Sequence, residues 1–125
     1  MSQTLTKIGG SDRFSAIVSH AGQIHLAGQV SQLADADIVE QSNDVFAKVD
    51  ALLEQAGAGR EDIISVQIWL ADMGDYAEMN TAWDAWVADV TPPTRACVEA
   101  RLAKPHYKIE VLVIAAAPVA DRLAG

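Results

Sequence analysis

Apolar and polar positions alternate with two different periods along this chain, and the switches between them predict its elements. Phe14-Ser15-Ala16-Ile17-Val18 and Ile24-His25-Leu26-Ala27 are short strand-like runs separated by Ala21-Gly22-Gln23, which suits a hairpin turn, and Gly28 punctuates the second run. From about Asp37 to Ala56 the period lengthens. Val45, Val49, Leu52, Leu53 and Ala56 recur at helical spacing, and Gly57 and Gly59 end the pattern as C-cap glycines do. Ile64, Val66, Ile68 and Leu70 then take alternate positions with Ser65, Gln67 and Trp69 between them, a half-buried strand entered by the acidic turn Glu61-Asp62. Asp75 and Glu78 read as a capping box for a second helix, along which Tyr76, Met79, Trp83, Trp86 and Val87 fall at helical spacing until Pro92-Pro93 closes it. Two final strands follow, one through Thr94–Glu99 and one through Ile109–Ile114, and a further short strand is expected near Thr4 to Ile8.

This order of strand, strand, helix, strand, helix, strand, strand predicts an α+β fold, a two-layer sandwich with two helices against one face of a mixed sheet. At 125 residues without internal repeat or linker, the chain is read as a single domain, 1–125. One strand does not fit a sheet with a free second face. Ile109-Glu110-Val111-Leu112-Val113-Ile114 is apolar on both sides, as befits a strand buried on both, so something must cover the face the helices leave open. The simplest cover is another copy of the chain, and a closed homo-oligomer is expected.

Against that background Arg95 and Glu110 stand out, each a charge set within a short strand-like run. An unpaired buried ion costs several kcal/mol, so both should be paired or used. On a strand Arg95, Cys97 and Glu99 share one face, with Ala96, Val98 and Ala100 on the other. The planar fork of Arg95 matches a carboxylate and cannot be discharged, which suits anchoring a small acid. Glu110, a carboxyl among apolar neighbours, is a candidate for moving a proton to or from water. The plain alternative is a cross-strand salt bridge of Arg95 with Glu99 or Glu110 that sets register or a subunit contact. Cys97 reads as a small buried filler, Trp83 and Trp86 as core or interface aromatics, and His25 as a half-buried strand residue.

Charge narrows the function classes. A formal net charge of -8, with nine Lys and Arg scattered rather than gathered in a stripe, repels phosphate backbones and argues against nucleic acid as a partner. No run of about 18 apolar residues suggests a membrane span, and the N-terminus lacks the basic-then-apolar order of a signal peptide, so a soluble, cytoplasmic protein is expected. The single cysteine fits a reducing compartment, and His20, His25 and His106 lack the spacing of a metal site.

The segments Ala27-Gly28-Gln29, Ile68-Trp69-Leu70-Ala71-Asp72, Met79-Asn80-Thr81-Ala82-Trp83, Pro93-Thr94-Arg95-Ala96-Cys97-Val98-Glu99 and Lys108-Ile109-Glu110-Val111, in that order, resemble the Rid family of reactive-intermediate deaminases over nearly the whole chain. The resemblance implies a chorismate-mutase-like fold, a homotrimer and active-site clefts between subunits. It also implies hydrolysis of 2-imino acids and their enamine tautomers to 2-keto acids and ammonia, without cofactor or metal. Carried over residue by residue, the family's carboxylate-binding arginine falls on Arg95, its water-orienting glutamate on Glu110, its cysteine on Cys97, its backbone-presenting glycine on Gly28 and its helix asparagine on Asn80. The chain departs from the family's pattern in three places. Phe14 stands where many members have tyrosine, Ala27 where Ser or Thr is frequent, and the Ser31 to Asp37 segment is shorter than usual. These features resemble a less characterised branch, in which Phe14 still lines the substrate site but the substrate differs. Two other readings compete: a non-catalytic module binding a small carboxylate such as a keto acid, and a ribonuclease, which the acidic charge disfavours.

Overall fold

A reciprocal cap and a left-handed glycine set the limits of the first helix. In the computed structural model, which describes residues 4–118, α1 runs over Ile38–Gln55. The Asp37 carboxylate accepts from the Glu40 backbone N–H at 2.9 Å, and Glu40 Oε1 accepts from the Asp37 N–H at 3.4 Å. At the other end Gly57, with φ of 81°, lets the chain double back, so that the N–H groups of Gly57 and Ala58 reach the carbonyls of Glu54 and Leu53 at 2.9 and 2.8 Å. Gly59 plays no part in this stop. Its φ is -141° and it leads into a short 3-10 turn at Arg60–Asp62, so only one of the two expected C-cap glycines ends the helix.

The second helix, α2, spans Tyr76–Trp86 and starts differently from the expected Asp75–Glu78 box: Asp75 makes no side-chain capping bond. The reason is local. A 3-10 turn over Met73–Asp75 runs straight into α2, so Asp75 already has helical backbone angles, and the cap moves upstream to extended Asp72, whose carboxylate accepts from the Gly74 N–H at 2.8 Å.

Among the described residues seven strands form one mixed sheet: β1 (Thr6–Ile8), β2 (Ile17–His20), β3 (Gln23–Leu26), β4 (Gln29–Val30), β5 (Ile63–Leu70), β6 (Thr94–Glu99) and β7 (Ile109–Ala116). Their order is β1-β2-β3-β7-β5-β6, with β4 also on β7. β5 lies antiparallel to β7 and parallel to β6, which leaves β6 at the sheet edge. Two boundaries differ from the expectation. β2 begins at Ile17, so Phe14 precedes the strand, and the β2–β3 turn consists of Ala21 and Gly22, both at positive φ, with Gln23 already paired to His20.

Between β3 and β4 the ladder carries a bulge. His25 pairs with Ile114 and Gln29 with Val111, so Leu26, Ala27 and Gly28 stand opposite only Leu112 and Val113. β4 itself, two residues long, gave no pattern in the sequence.

Both helices cover one face. Ile17, Ile24, Leu26, Val66, Ile68, Leu70, Ile109, Val111, Val113 and Ala115 form the sheet's share of the core, met by Val45, Phe46, Val49, Leu53, Met79, Trp83 and Trp86 from the helices. Phe46 stacks on Trp86 with ring centroids 4.5 Å apart, and Trp83 meets both edge-on at 6.0 and 5.6 Å. Full burial of a side chain such as Phe46 is worth ~1.5–3 kcal/mol, so this junction holds α1 and α2 together. The other face is uncovered among the described residues. Val98 and Leu112 on it are 47% and 36% exposed, and Trp69, Ile114 and Val18 are only partly buried. The side of β7 that the sequence reads as buried is therefore bare in the single chain. No helix among the described residues is long and apolar enough to cross a membrane.

Candidate functional site

The pairing register decides what each strand charge can touch. In β6 the side chains of Arg95 and Cys97 lie beside Val66 and Ile68 of β5, both buried under the helices, so Arg95 and Cys97 point to the helix side. In β7 Ile109, Val111 and Val113 occupy that side, and Glu110 between them points to the open face with Leu112 and Ile114. Arg95 and Glu110 thus stand on opposite faces of one sheet.

On the helix side, Tyr76, Asn80 and Trp83 occupy one stripe of α2 and meet the guanidinium of Arg95. Arg95 Nη1 donates to Asn80 Oδ1 at 2.7 Å and Nη2 to the Tyr76 hydroxyl oxygen at 2.9 Å. Its Cζ lies 4.9 Å from the centroid of the Trp83 ring and 5.6 Å from that of Tyr76. Both hydrogen-bond partners are neutral, and among the described residues Arg95 has no carboxylate partner in an ion pair. Within the single chain, then, Arg95 forms no cross-strand salt bridge with Glu99 or Glu110. Glu99 instead accepts from the backbone N–H of Met73 at 2.9 Å, pinning the start of the turn that leads into α2. Cys97 is half-buried against the core. Burial pushes its thiol above the ordinary range, and the nearby Arg95 charge opposes that shift in part. Beyond Glu99 lies an open hollow of about 670 Å³, lined by Ala71, Glu99, Arg101, Lys104 and Tyr107 among others.

On the open face, Glu110 stands opposite Trp69 of β5 and Val30 of β4. Phe14, Ala27, Gly28 and Glu110 line a hollow of about 440 Å³, together with Val18 and His25. Gly28 is required by proximity rather than by backbone angle: a Cβ there would lie 2.5 Å from Glu110 Oε2. The bulge and the missing side chain together give the Glu110 carboxylate its place. Phe14 is 59% exposed at the mouth of this hollow. His25 is exposed rather than half-buried, and its ring Nε2 lies 3.1 Å from Gln23 Oε1.

The six residues singled out in the sequence therefore fall into two groups, Arg95, Cys97 and Asn80 on one side, Gly28, Phe14 and Glu110 on the other. In the sequence Tyr76 shows only as a member of the apolar stripe of α2, although it is 37% exposed and touches Arg95. Its position four residues before Asn80 on the same stripe is the signal that links the two. Trp83 and Trp86 are buried, as read, and Trp83 doubles as the floor under the guanidinium.

Comparison with known proteins agrees with this architecture. The sequence profile of a family described as Endoribonuclease L-PSP matches residues 4–117. The chain is 44% identical over 113 residues to a RutC family protein of Haemophilus influenzae, covering 90% of this chain and 97% of the relative. It is 40% identical over 113 residues to the RutC family protein YoaB of Escherichia coli K12, covering 90% and 98%. Among solved structures, NMB1025 of Neisseria meningitidis, a member of the YjgF protein family, superposes with a TM-score of 0.88 at 40% identity over 93% of this chain and 97% of that one. Rv2704 of Mycobacterium tuberculosis, from the YjgF/YER057c/UK114 family, shares the fold at a TM-score of 0.82 and 22% identity, over 91% and 100% of the two chains. The fold is the expected chorismate-mutase-like one.

Proposed function

We propose a hydrolase reading for a chain that belongs to the Endoribonuclease L-PSP family, the group of the RutC, YjgF and Rid proteins: conversion of reactive 2-imino acids and their enamine tautomers to 2-keto acids and ammonia. The observation that carries it is Arg95. Two of the five N–H bonds of its guanidinium go to the neutral oxygens of Asn80 and Tyr76, and the plane rests on Trp83. Its orientation is set while its charge is left without a counter-ion, which is what an incoming carboxylate requires.

The chemistry asks little more than positioning. Water adds to the C=N carbon, a proton passes to nitrogen, and the tetrahedral carbinolamine collapses to the keto acid as ammonia leaves. Imines hydrolyse readily in water, so a held carboxylate and an aimed water suffice without an activated nucleophile. Glu110, whose carboxylate has no ion-pair or hydrogen-bond partner among the described residues and is lodged over Gly28, is the group proposed to hold that water.

Because Arg95 and Glu110 face opposite ways, this reading needs more than one copy. The cleft would pair Arg95, Cys97 and Asn80 of one subunit with Glu110, Gly28 and Phe14 of its neighbour, in a homotrimer whose bare apolar sheet faces pack together. The exposed Val98 and Leu112 support such packing. The ribonuclease name attached to the family finds no support in the charge of this chain, which at -8 opposes an RNA backbone.

The test couples an amino-acid oxidase to semicarbazide trapping of the imine it releases. A deaminase suppresses semicarbazone formation, and Arg95→Ala abolishes the suppression by roughly a hundredfold or more, as expected for an anchor to a charged group. Semicarbazone formation untouched by the wild-type protein, alongside measurable binding of a keto acid, would instead mean a binding module.

A further inference from the structure

We infer that Tyr76 is a second recognition group for the substrate carboxylate, its phenol O–H acting beside the guanidinium of Arg95 as one arm of a two-point anchor. The inference rests on the reading of Arg95 given above. Three observations carry it. Tyr76 Oη lies 2.9 Å from Arg95 Nη2 and accepts its N–H through one lone pair, so the phenol's own proton is left to be donated elsewhere. Among the described residues that proton is donated to no other group, and Tyr76, 37% exposed, is open to solvent beside Arg95. Accepting a bond from a cation also polarises a hydroxyl, so the remaining O–H becomes a better donor to an anion.

The arrangement divides the labour on α2. Asn80, one turn further on, presents only its carbonyl oxygen to Nη1 and so orients the fork. Tyr76 can orient the fork and touch the guest as well. A carboxylate arriving at the guanidinium has two oxygens. One is served by the uncommitted N–H groups of Arg95, and the other lies within reach of a phenol that already sits beside Nη2. No covalent step is involved, and the hydroxyl proton stays on Tyr76. Substrates lacking the carboxylate lose both contacts at once, which sharpens selection for 2-imino acids over neutral imines.

The test is Tyr76→Phe, which keeps the ring under the guanidinium and removes only the oxygen. Kinetics in the coupled imine assay, pyruvate binding and a crystal structure with pyruvate are compared with wild type. Expected are a KM and a pyruvate Kd raised roughly ten- to a hundredfold with kcat nearly unchanged, the loss of one hydrogen bond to a charged group. In the wild-type complex a pyruvate oxygen lies within hydrogen-bond distance of Tyr76 Oη. Unchanged KM and Kd in Tyr76→Phe, or a pyruvate carboxylate bound to Arg95 alone, would overturn the Tyr76 inference and leave the Arg95 reading standing. Activity and pyruvate binding that survive Arg95→Ala would remove both.

Discussion

Arg95 and Glu110 lie on opposite faces of the same sheet, one turned toward Trp83 of α2 and the other toward Gly28 on the face without helices. The backbone fixes this, since both strands pair with β5 in a set register and side chains alternate along each. No rotamer change in one chain can bring the guanidinium and the carboxylate into one cleft.

Complementation between subunits follows from that separation. Arg95→Ala and Glu110→Gln proteins are each expected to be inactive alone. Unfolded together and refolded, they should regain activity, because some boundaries then join an intact Arg95 to an intact Glu110. For random mixing in a closed ring about one boundary in four is restored. Imine turnover in the mixed sample that stays at the level of the separate variants would rule out a shared cleft.

Gly28→Ala probes the other half of the arrangement. The added Cβ would approach Glu110 Oε2 to 2.5 Å, so the carboxylate must swing aside. Since the obstructing atom ends a flexible side chain, stability should change by less than ~1 kcal/mol, while a misplaced carboxylate should lower kcat by roughly tenfold or more. Denaturant melts and steady-state kinetics separate the two. A large fall in stability with unchanged kcat would show that Gly28 serves the bulge and not Glu110.

Leu112→Glu places a charge on the bare face, where Leu112 is 36% exposed in the single chain. If that face is a subunit boundary, burying an unpaired carboxylate there costs several kcal/mol, and light scattering should show the assembly falling to monomers with a native circular dichroism spectrum. An unaltered mass for the variant, or a wild-type monomer at micromolar concentration, would count against the homotrimer.

Cys97 supplies a pH prediction. Burial raises its thiol above the unfolded value, with Arg95 opposing, so the folded state holds the proton more tightly. The stabilisation is complete below the unfolded thiol's range and is lost as pH climbs through the folded value. Wild type should therefore lose more stability than Cys97→Ala on the alkaline side. Iodoacetamide should alkylate Cys97 more slowly in the folded protein than in urea, and more slowly still in Arg95→Ala. Faster alkylation in Arg95→Ala, measured with the fold intact, would contradict the sign of the Arg95 effect.

Much of the fold was legible because its signals are repetitive. Val66, Ile68 and Leu70 alternate, Val45, Val49 and Leu53 recur at helical spacing, and all six are buried where those periods put them. The sequence misplaces the cap of α2 because Asp75 and Glu78 satisfy the spacing of a capping box, while the turn over Met73–Asp75 carries the helical backbone one step upstream. β4 could not be read at all: two residues contain no period.

The candidate site was legible as a set of residues but not as a geometry. β7 is apolar on both sides, so nothing in its sequence says which side Glu110 takes. β6 offers Thr94, Ala96 and Val98 against Arg95, Cys97 and Glu99, a contrast too weak to orient an edge strand. Only the shared register with β5 resolves both. The contact between Tyr76 and Arg95 depends in addition on how α2 lies across the sheet, which is set by Phe46, Trp83 and Trp86 in the helix junction.

The extra residue between β3 and β4 has a consequence of its own. Were all three residues paired in the register of His25 with Ile114, with no bulge, the ladder would set Gln29 across from Glu110 in place of Val30, exchanging an apolar neighbour for an amide beside the carboxylate. Because the surplus is absorbed within Leu26, Ala27 and Gly28, the pairing of Ile24 and its neighbours upstream is insulated from whatever follows. Evolution can therefore reshape the wall around the glutamate by exchanging residues at the kink, while the packed layer beneath keeps its alignment.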